Sequence, residues 1–225
     1  IQKVYADETA INNFLVEKFL EKRPACLVIY KTTELENWWN ELTEVWKEVF
    51  QKQVAISENS TKEDLHKLVE LEVLRFKDVD VNDLSPLHAF VRLKELEFSG
   101  TAVNDLSPLS EIKSLRSLHT SSSPIRDLAP LSVLTDLEAL DISNTPVEDL
   151  RPIRGLLNLK ALNCSGTQIS SLSALEEFSL ESLDCSNTGV KSIDVVFGMP
   201  LETLKCYNTR VSAKAVEKFK SSNLK

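Results

Sequence analysis

The chain has 225 residues, 42% of them apolar, with 34 acidic against 26 basic side chains and a formal charge of -8. That composition suits one large or two small globular cores, and the negative charge repels phosphate backbones and anionic lipid headgroups, which argues against nucleic acid or a membrane surface as partner. No apolar run reaches the roughly 20 residues of a spanning helix; the five glycines form neither a Walker-type nor a dinucleotide-type loop, and the four cysteines lack the close pairing of a disulfide framework.

In chain order, the first feature is an echo of the last. Sliding the sequence 200 positions against itself places Thr9 on Thr209, Ile11 on Val211, Val4 and Ala6 on Leu204 and Cys206, and the word VEKF at 16–19 on the same word at 216–219. Residues 2–19 read as strand, turn and helix, and Arg23, Pro24 and Ala25 lead into the strand-like CLVIY.

Over residues 34–50, Leu35, Trp38, Trp39, Leu42, Val45, Trp46, Val49 and Phe50 recur at helical spacing, with Glu36, Glu41, Glu44 and Lys47 on the other face. This predicts one amphipathic helix with a bulky apolar side. Residues 54–56 (VAI) read as a strand, and residues 61–68 as a short helix with Ser60 as its N-cap.

From there a repeat takes over. VNDLSPL begins at Val81 and again at Val103, then returns as IRDLAPL from Ile125, VEDLRPI from Val147 and ISSLSAL from Ile169, with a spacing of 22 residues that later closes to 21. Each unit opens L-x-x-L-x-apolar, as in Leu71, Leu74 and Phe76 or Leu159, Leu162 and Cys164. The last two apolar positions lie two apart, the period of a strand with one buried face. Asp83, Asp105, Asp127 and Asp149 each precede L-x-P, where a carboxylate accepts the free amides of a starting helical turn and proline costs little. A strand and a turn in 22 residues bury an apolar face only by stacking on their neighbours. The expected product is an α/β solenoid with a parallel sheet on its concave face and short helices or 3-10 turns on its convex face.

These residues resemble leucine-rich repeat proteins of the 22-residue class, found in bacterial internalins and in a eukaryotic phosphatase regulator. The resemblance covers residues 69–211 in seven units and implies a right-handed solenoid with a helical N-terminal cap. One departure is systematic: where that family places an asparagine ladder, this chain has Thr101, Thr145, Thr167, Thr188 and Thr209, with Val79 and Ser123 in the other two places. A ladder in which each hydroxyl donates to a carbonyl of the next turn is expected, weaker than an amide ladder. Residues 1–30 are similar to the C-terminal caps of bacterial leucine-rich repeat proteins, in which a helix leads to a Pro-x-Cys strand. They are expected to be the last repeat and closing cap of a preceding array, with Val16 and Phe19 packing as Val216 and Phe219 do. Residues 31–68 are then the Trp-rich N-terminal cap, covering the first repeat's open end with tryptophans as core rather than ligand cage, and residues 212–225 begin a C-terminal cap helix.

The outward strand positions supply the candidate site: Arg75, Glu97, His119, Asp141, Asn163, Asp184 and Lys205 along the centre, and Lys77, four serines, Ser186 and Tyr207 in the next column. His119, Asp141 and the serines offer a superficial hydrolase triad, but an open sheet supplies neither oxyanion donors nor exclusion of water, so no catalysis is expected. Cys164, Cys185 and Cys206 occupy inward positions in a row, unlike ligands converging on a metal, so neither metal nor cofactor is expected. The flat centre offers on the order of 300 Å², against about 800 Å² per partner in a standard interface, so rims must contribute. The resemblance implies a non-catalytic module that binds a protein or peptide, a basic one suiting the partly acidic floor. The alternative is a regulatory or scaffold segment of a larger signalling enzyme.

Overall fold

The computed structural model describes residues 2–54, 56 and 60–223. Seven strands, β3 (Val73–Arg75), β4 (Glu95–Glu97), β5 (Ser117–His119), β6 (Ala139–Asp141), β7 (Ala161–Asn163), β8 (Ser182–Asp184) and β9 (Thr203–Lys205), form one parallel sheet in sequence order. The register advances by one repeat per strand, so Leu74, Leu96, Leu118, Leu140, Leu162, Leu183 and Leu204 stack in a single inward column. All of these but Leu204 are at most 2% exposed, as are Leu93, Leu115 and Leu137 from the same repeats. Burying a leucine is worth about 1.5–3 kcal/mol before chain entropy is charged, which makes repeat-on-repeat burial the dominant stabilising term.

The first six returns are 3-10 turns, as at Ser85–Ala89, Ser107–Glu111, Ala129–Val133 and Arg151–Ile153. The aspartates do the expected work from just outside the turn: Asp83, Asp105, Asp127 and Asp149 accept from the amides of Ser85, Ser107, Ala129 and Arg151 at 2.8–2.9 Å. Ser171 and Ser192 substitute in the next two repeats, accepting from Ser173 and Asp194.

The threonine ladder differs from expectation. Thr101, Thr145, Thr167, Thr188 and Thr209 donate to the carbonyls of Phe98, Ile142, Cys164, Cys185 and Cys206 at 2.6–3.0 Å, three residues back in their own repeat. These five hydroxyls bond within their own turn, whereas Thr120 Oγ1 reaches Asp141 O of the next repeat at 3.2 Å. Ser123 bridges repeats instead, donating to Phe98 O at 3.2 Å. The repeats are held together here by the main chain: a left-handed residue in every unit, Asp78, Gly100, Ser122, Asn144, Gly166, Asn187 and Asn208, sits at φ 53–68°. All but Asn208 donate their amide to the next repeat, for example Gly166 N to Ser186 O at 2.9 Å.

The single helix expected over residues 34–50 is two. α2 (Thr32–Glu41) ends where Leu42 turns extended, and Thr43 caps α3 (Glu44–Gln53) by accepting from Trp46 N. A threonine in an extended conformation is a good N-cap, and the apolar spacing runs through the break because Leu42 and Trp46 still face the core. Trp38, Trp39 and Trp46 are 4–7% exposed and join the main core. Trp46 packs on Phe50 and Phe76 at 4.9 and 5.3 Å between ring centroids, while Trp38 packs on Phe50 and Phe90. Their indole nitrogens donate to Pro86 O and Asp83 O, tying the cap to the first repeat's turn. α4 (Lys62–Val69) is capped by Thr61, in a capping box with Asp64, rather than by Ser60. The strand expected at residues 54–56 includes Ala55, which lies outside the described residues; Val54 is extended and Ile56 is buried.

At the N-terminal end, β1 (Lys3–Tyr5) and β2 (Leu27–Ile29) pair in parallel as a separate two-stranded sheet, crossed by α1 (Asn13–Lys22). They have their own core of Val16, Leu20, Cys26, Val28 and Tyr30. This unit docks on α4 through His66, whose buried ring places Nε2 2.9 Å from Tyr30 N and 2.7 Å from Tyr30 O, and Nδ1 2.7 Å from Lys62 O. The C-terminal segment forms α5 (Ala213–Asn223). Val16 and Phe19 do not pack as Val216 and Phe219 do: Val16 is 1% and Phe19 37% exposed, whereas Val216 is half-buried and Phe219 is 9% exposed. The two helices differ in what flanks them: Val16 packs with Cys26, Val28 and Tyr30 around β2, whereas Phe219 packs edge-on against Phe197.

Candidate functional site on the parallel sheet

Because side chains alternate along a strand, the last residue of each strand points to the solvent face. The register then places Arg75, Glu97, His119, Asp141, Asn163, Asp184 and Lys205 directly opposite one another in a single row. All seven central positions are thus brought together. Tyr207, just past β9, stands at the far end of the adjoining column and is 62% exposed.

The row has an acidic middle with its cations at the rims. Glu97 and Asp184 keep 16% of their side chains exposed, whereas Arg75, Lys77 and Lys205 keep 56–59%. The pairings run diagonally as well as across. Arg75 reaches Glu95 at 2.6 Å rather than Glu97, and Lys77 takes Glu97 at 2.7 Å, which holds the Lys77 ammonium above its ordinary pKa. Lys205 lies 3.6 Å from Asp184. Gln53 of α3 donates to Arg75 O at 2.8 Å, so the cap reaches the rim of this face.

In the middle, the polar side chains are fixed by their own backbone. Asp141, Asn163 and Asp184 each accept through Oδ1 from the amide two residues on, those of Ser143, Ser165 and Ser186, at 2.8–3.2 Å. Asn163 Nδ2 donates to Asp141 Oδ2 at 3.1 Å. Between them the first column of the sheet is small: Ala139, Ala161 and Ser182 line a shallow depression of about 230 Å³, bounded by His119, Asp141, Asn163, Asp184 and Lys205. The triad geometry does not form. His119 Nε2 meets Ser117 Oγ at 2.9 Å on its own strand, while Asp141 is engaged by Ser143 and Asn163.

The serine column is less exposed than its residue type suggests, since Ser143 and Ser186 are 5% and 0% exposed. Beneath it, Cys164 and Cys185 are fully buried and donate to Asp184 O and Lys205 O; Cys206, in the last repeat, is half-buried. Burial pushes the Cys185 thiol up to about 12 and the other two upward as well. Thiols in that state are packing groups. Sequence reasoning found the row from its period of two. It missed the diagonal ion pairs and the backbone anchoring, although a polar residue two before each column serine was a signal for the latter.

No protein-family model matches the chain, and comparison with curated proteins gave no match. Solved structures do match. The internalin InlF of Listeria monocytogenes is 30% identical with a TM-score of 0.60, covering 64% of this chain and 44% of its own. Internalin C2 of the same organism is 26% identical with a TM-score of 0.63, over 71% of this chain and 72% of its own. The functional domain of InlJ from L. monocytogenes, described as including a cysteine ladder, is 20% identical with a TM-score of 0.53, over 67% and 37%. The chain therefore spans less than half the length of InlF and InlJ.

Proposed function

We propose, from the premise that the chain is a leucine-rich repeat solenoid similar to the internalins, that it is a non-catalytic module binding a protein or peptide on the exposed face of its parallel sheet. The observation that carries this reading is the row from Arg75 to Lys205, with Glu97, Asp141 and Asp184 inside its cationic ends and a small-residue depression beside Asp141 and Asp184. A depression floored by alanine and serine admits a protruding side chain, and carboxylates around it favour a basic one. The flat centre is too small for a standard interface by itself, so Arg75, Tyr207 and the flanking turns contribute the rim. The absence of catalysis is supported by His119 being held by Ser117 and Asp141 by backbone and Asn163, on a face open to water.

The test is affinity capture with the wild-type chain and with the triple variant Glu97→Lys, Asp141→Lys, Asp184→Lys, after circular dichroism shows that both fold. A direct partner identified with the wild type and confirmed as purified protein is expected to lose at least tenfold in affinity for the variant. Unchanged affinity of that partner for the variant would place binding elsewhere on the molecule.

A further inference from the structure

Around the first repeat, three depressions adjoin at His88, and no residue of the row from Arg75 to Lys205 lines any of them. The first, of about 410 Å³, lies between the break that joins α2 to α3 and the first return, over Trp38, Leu42 and Trp46, with Val45 exposed at its mouth. The second, of about 200 Å³, shares Trp38 and His88 with the first and is walled by Tyr30, Leu35, Val69 and Val91. The third, of about 990 Å³, shares Asn13, His88 and Val91 with the second and opens between α1 and the flanks of the first two repeats. A ligand that reaches all three is elongated and bends around His88.

The charges along this path are unbalanced, and the pairing within it sharpens the imbalance. Lys31 pairs with Glu34 at 3.1 Å, and Arg92 and Lys94 both take Glu72, at 2.7 and 2.9 Å. Outside those pairs stand Glu17, Glu21, Glu41, Asp80, Asp83 and Glu111, all exposed, against Lys113 as the one lining cation without an ion-pair partner among the described residues. Two uncharged groups suit a peptide backbone. Ser85 O, which can only accept, lies 2.7 Å from His88 Nδ1, so Nδ1 carries a proton and Nε2 of the neutral ring is left to accept an N–H. Asn13 Oδ1 takes the Tyr30 hydroxyl at 3.1 Å, which leaves the Nδ2 hydrogens for a carbonyl.

We propose that this path is a second interaction surface, separate from the sheet, and that its occupant is an extended basic segment of a partner protein. An apolar side chain of the segment sits over Trp38 and Leu42, and its cations lie beside Glu17, Glu21 and Glu111 at one end and Glu41 and Asp80 at the other. The same carboxylates repel an acidic segment or a nucleic acid. Because they are exposed, the attraction falls as salt is added.

The probe is the peptide Leu-Lys-Pro-Lys-Val-Lys-Pro-Lys-Leu-Lys, kept extended by its prolines, beside the same peptide with Glu for every Lys. Each is titrated at low salt into the isotope-labelled full chain and followed by NMR. The indole Nε1–H signals of Trp38 and Trp46 and the amides of Asn13 and Val91 are expected to shift with the Lys peptide alone. In the exposed-site variant Glu17→Lys, Glu21→Lys, Glu111→Lys, with its fold checked by circular dichroism, the affinity read from those signals is expected to fall at least tenfold. In the sheet variant Glu97→Lys, Asp141→Lys, Asp184→Lys it is expected to stay at the wild-type value. Unshifted signals with the Lys peptide overturn the proposal, as do equal shifts with the Glu peptide or an unchanged affinity in the first variant. Shifts at His119 and Asn163 report the sheet separately, so the two surfaces fail independently.

Discussion

Removing the indole of Trp46 isolates what the N-terminal cap contributes. In Trp46→Ala, a side chain that is 4% exposed disappears from between Phe50 and Phe76, and the donor to Asp83 O goes with it. Buried Trp→Ala changes cost about 3–5 kcal/mol, and this site has little freedom to collapse because Phe50 is itself pinned by Trp38 and Phe90. Trp46→Phe keeps a ring and loses the hydrogen bond, so about 1–2 kcal/mol is expected. Urea unfolding followed by circular dichroism gives both numbers. Because a solenoid is stabilised through nearest neighbours, the loss should also appear locally. Exchange at the Phe76 amide, which donates to Glu97 O, is expected to accelerate well before that at the Cys164 amide, four repeats away. A loss below about 1 kcal/mol for Trp46→Ala, with Phe76 exchange unchanged, would refute the reasoning. The first repeat would then be stable without its aromatic cover.

Two further outcomes follow from single residues. Gly166 sits at φ 68°, and an added Cβ would collide with the Asn144 side-chain oxygen, so Gly166→Ala is expected to cost about 1–3 kcal/mol in urea unfolding; Gly155→Ala, which meets open space, should stay within about 0.5 kcal/mol. Burial pushes the Glu70 carboxyl up to about 7 from an ordinary 4.5, and its Oε1 has no partner among the described residues. Between those values the folded chain keeps a proton that the unfolded chain has released, so Glu70 lowers stability progressively as pH rises, and fully above about 7. Glu70→Gln is therefore expected to gain about 1–2 kcal/mol at pH 8, a figure reduced for partial exposure, and nothing at pH 4. A gain that does not change with pH would mean that the carboxyl is not what titrates.

The repeat, its register and the position of every residue in the solvent-facing row were readable because a strand's period of two and a repeat of 22 leave one way to stack the leucines. Local competition was less readable. Leu42 and Trp46 keep the same face across a helix break, so periodicity alone ran one helix through Thr43, whose capping role shows only when its backbone is extended. The threonines were expected to bond to the next turn and bond to their own, a choice of local geometry that spacing does not encode. In the row, the partner directly across from Arg75 is Glu97, yet its guanidinium takes Glu95, two residues back on that strand, because a long side chain spans the diagonal and leaves Glu97 to Lys77. The reversed exposure of Val16 and Phe19 was hidden for another reason. It is set by neighbours rather than by the repeated word itself.

The backbone anchoring of Asp141 and Asp184 limits what can sit on them. A guanidinium lays two parallel N–H groups on both oxygens of one carboxylate, but Oδ1 of each aspartate already accepts a main-chain amide at 2.8 and 3.0 Å. The second oxygen of each is engaged as well, Asp141 Oδ2 by Asn163 Nδ2 at 3.1 Å and Asp184 Oδ2 by the Lys205 ammonium at 3.6 Å, so its direction is fixed before anything arrives. A point-like ammonium can share the second oxygen through its remaining lone pair without disturbing the turn, whereas a bidentate arginine must displace the main-chain amide. If a basic partner binds as proposed, lysine is expected to be preferred to arginine at these two carboxylates.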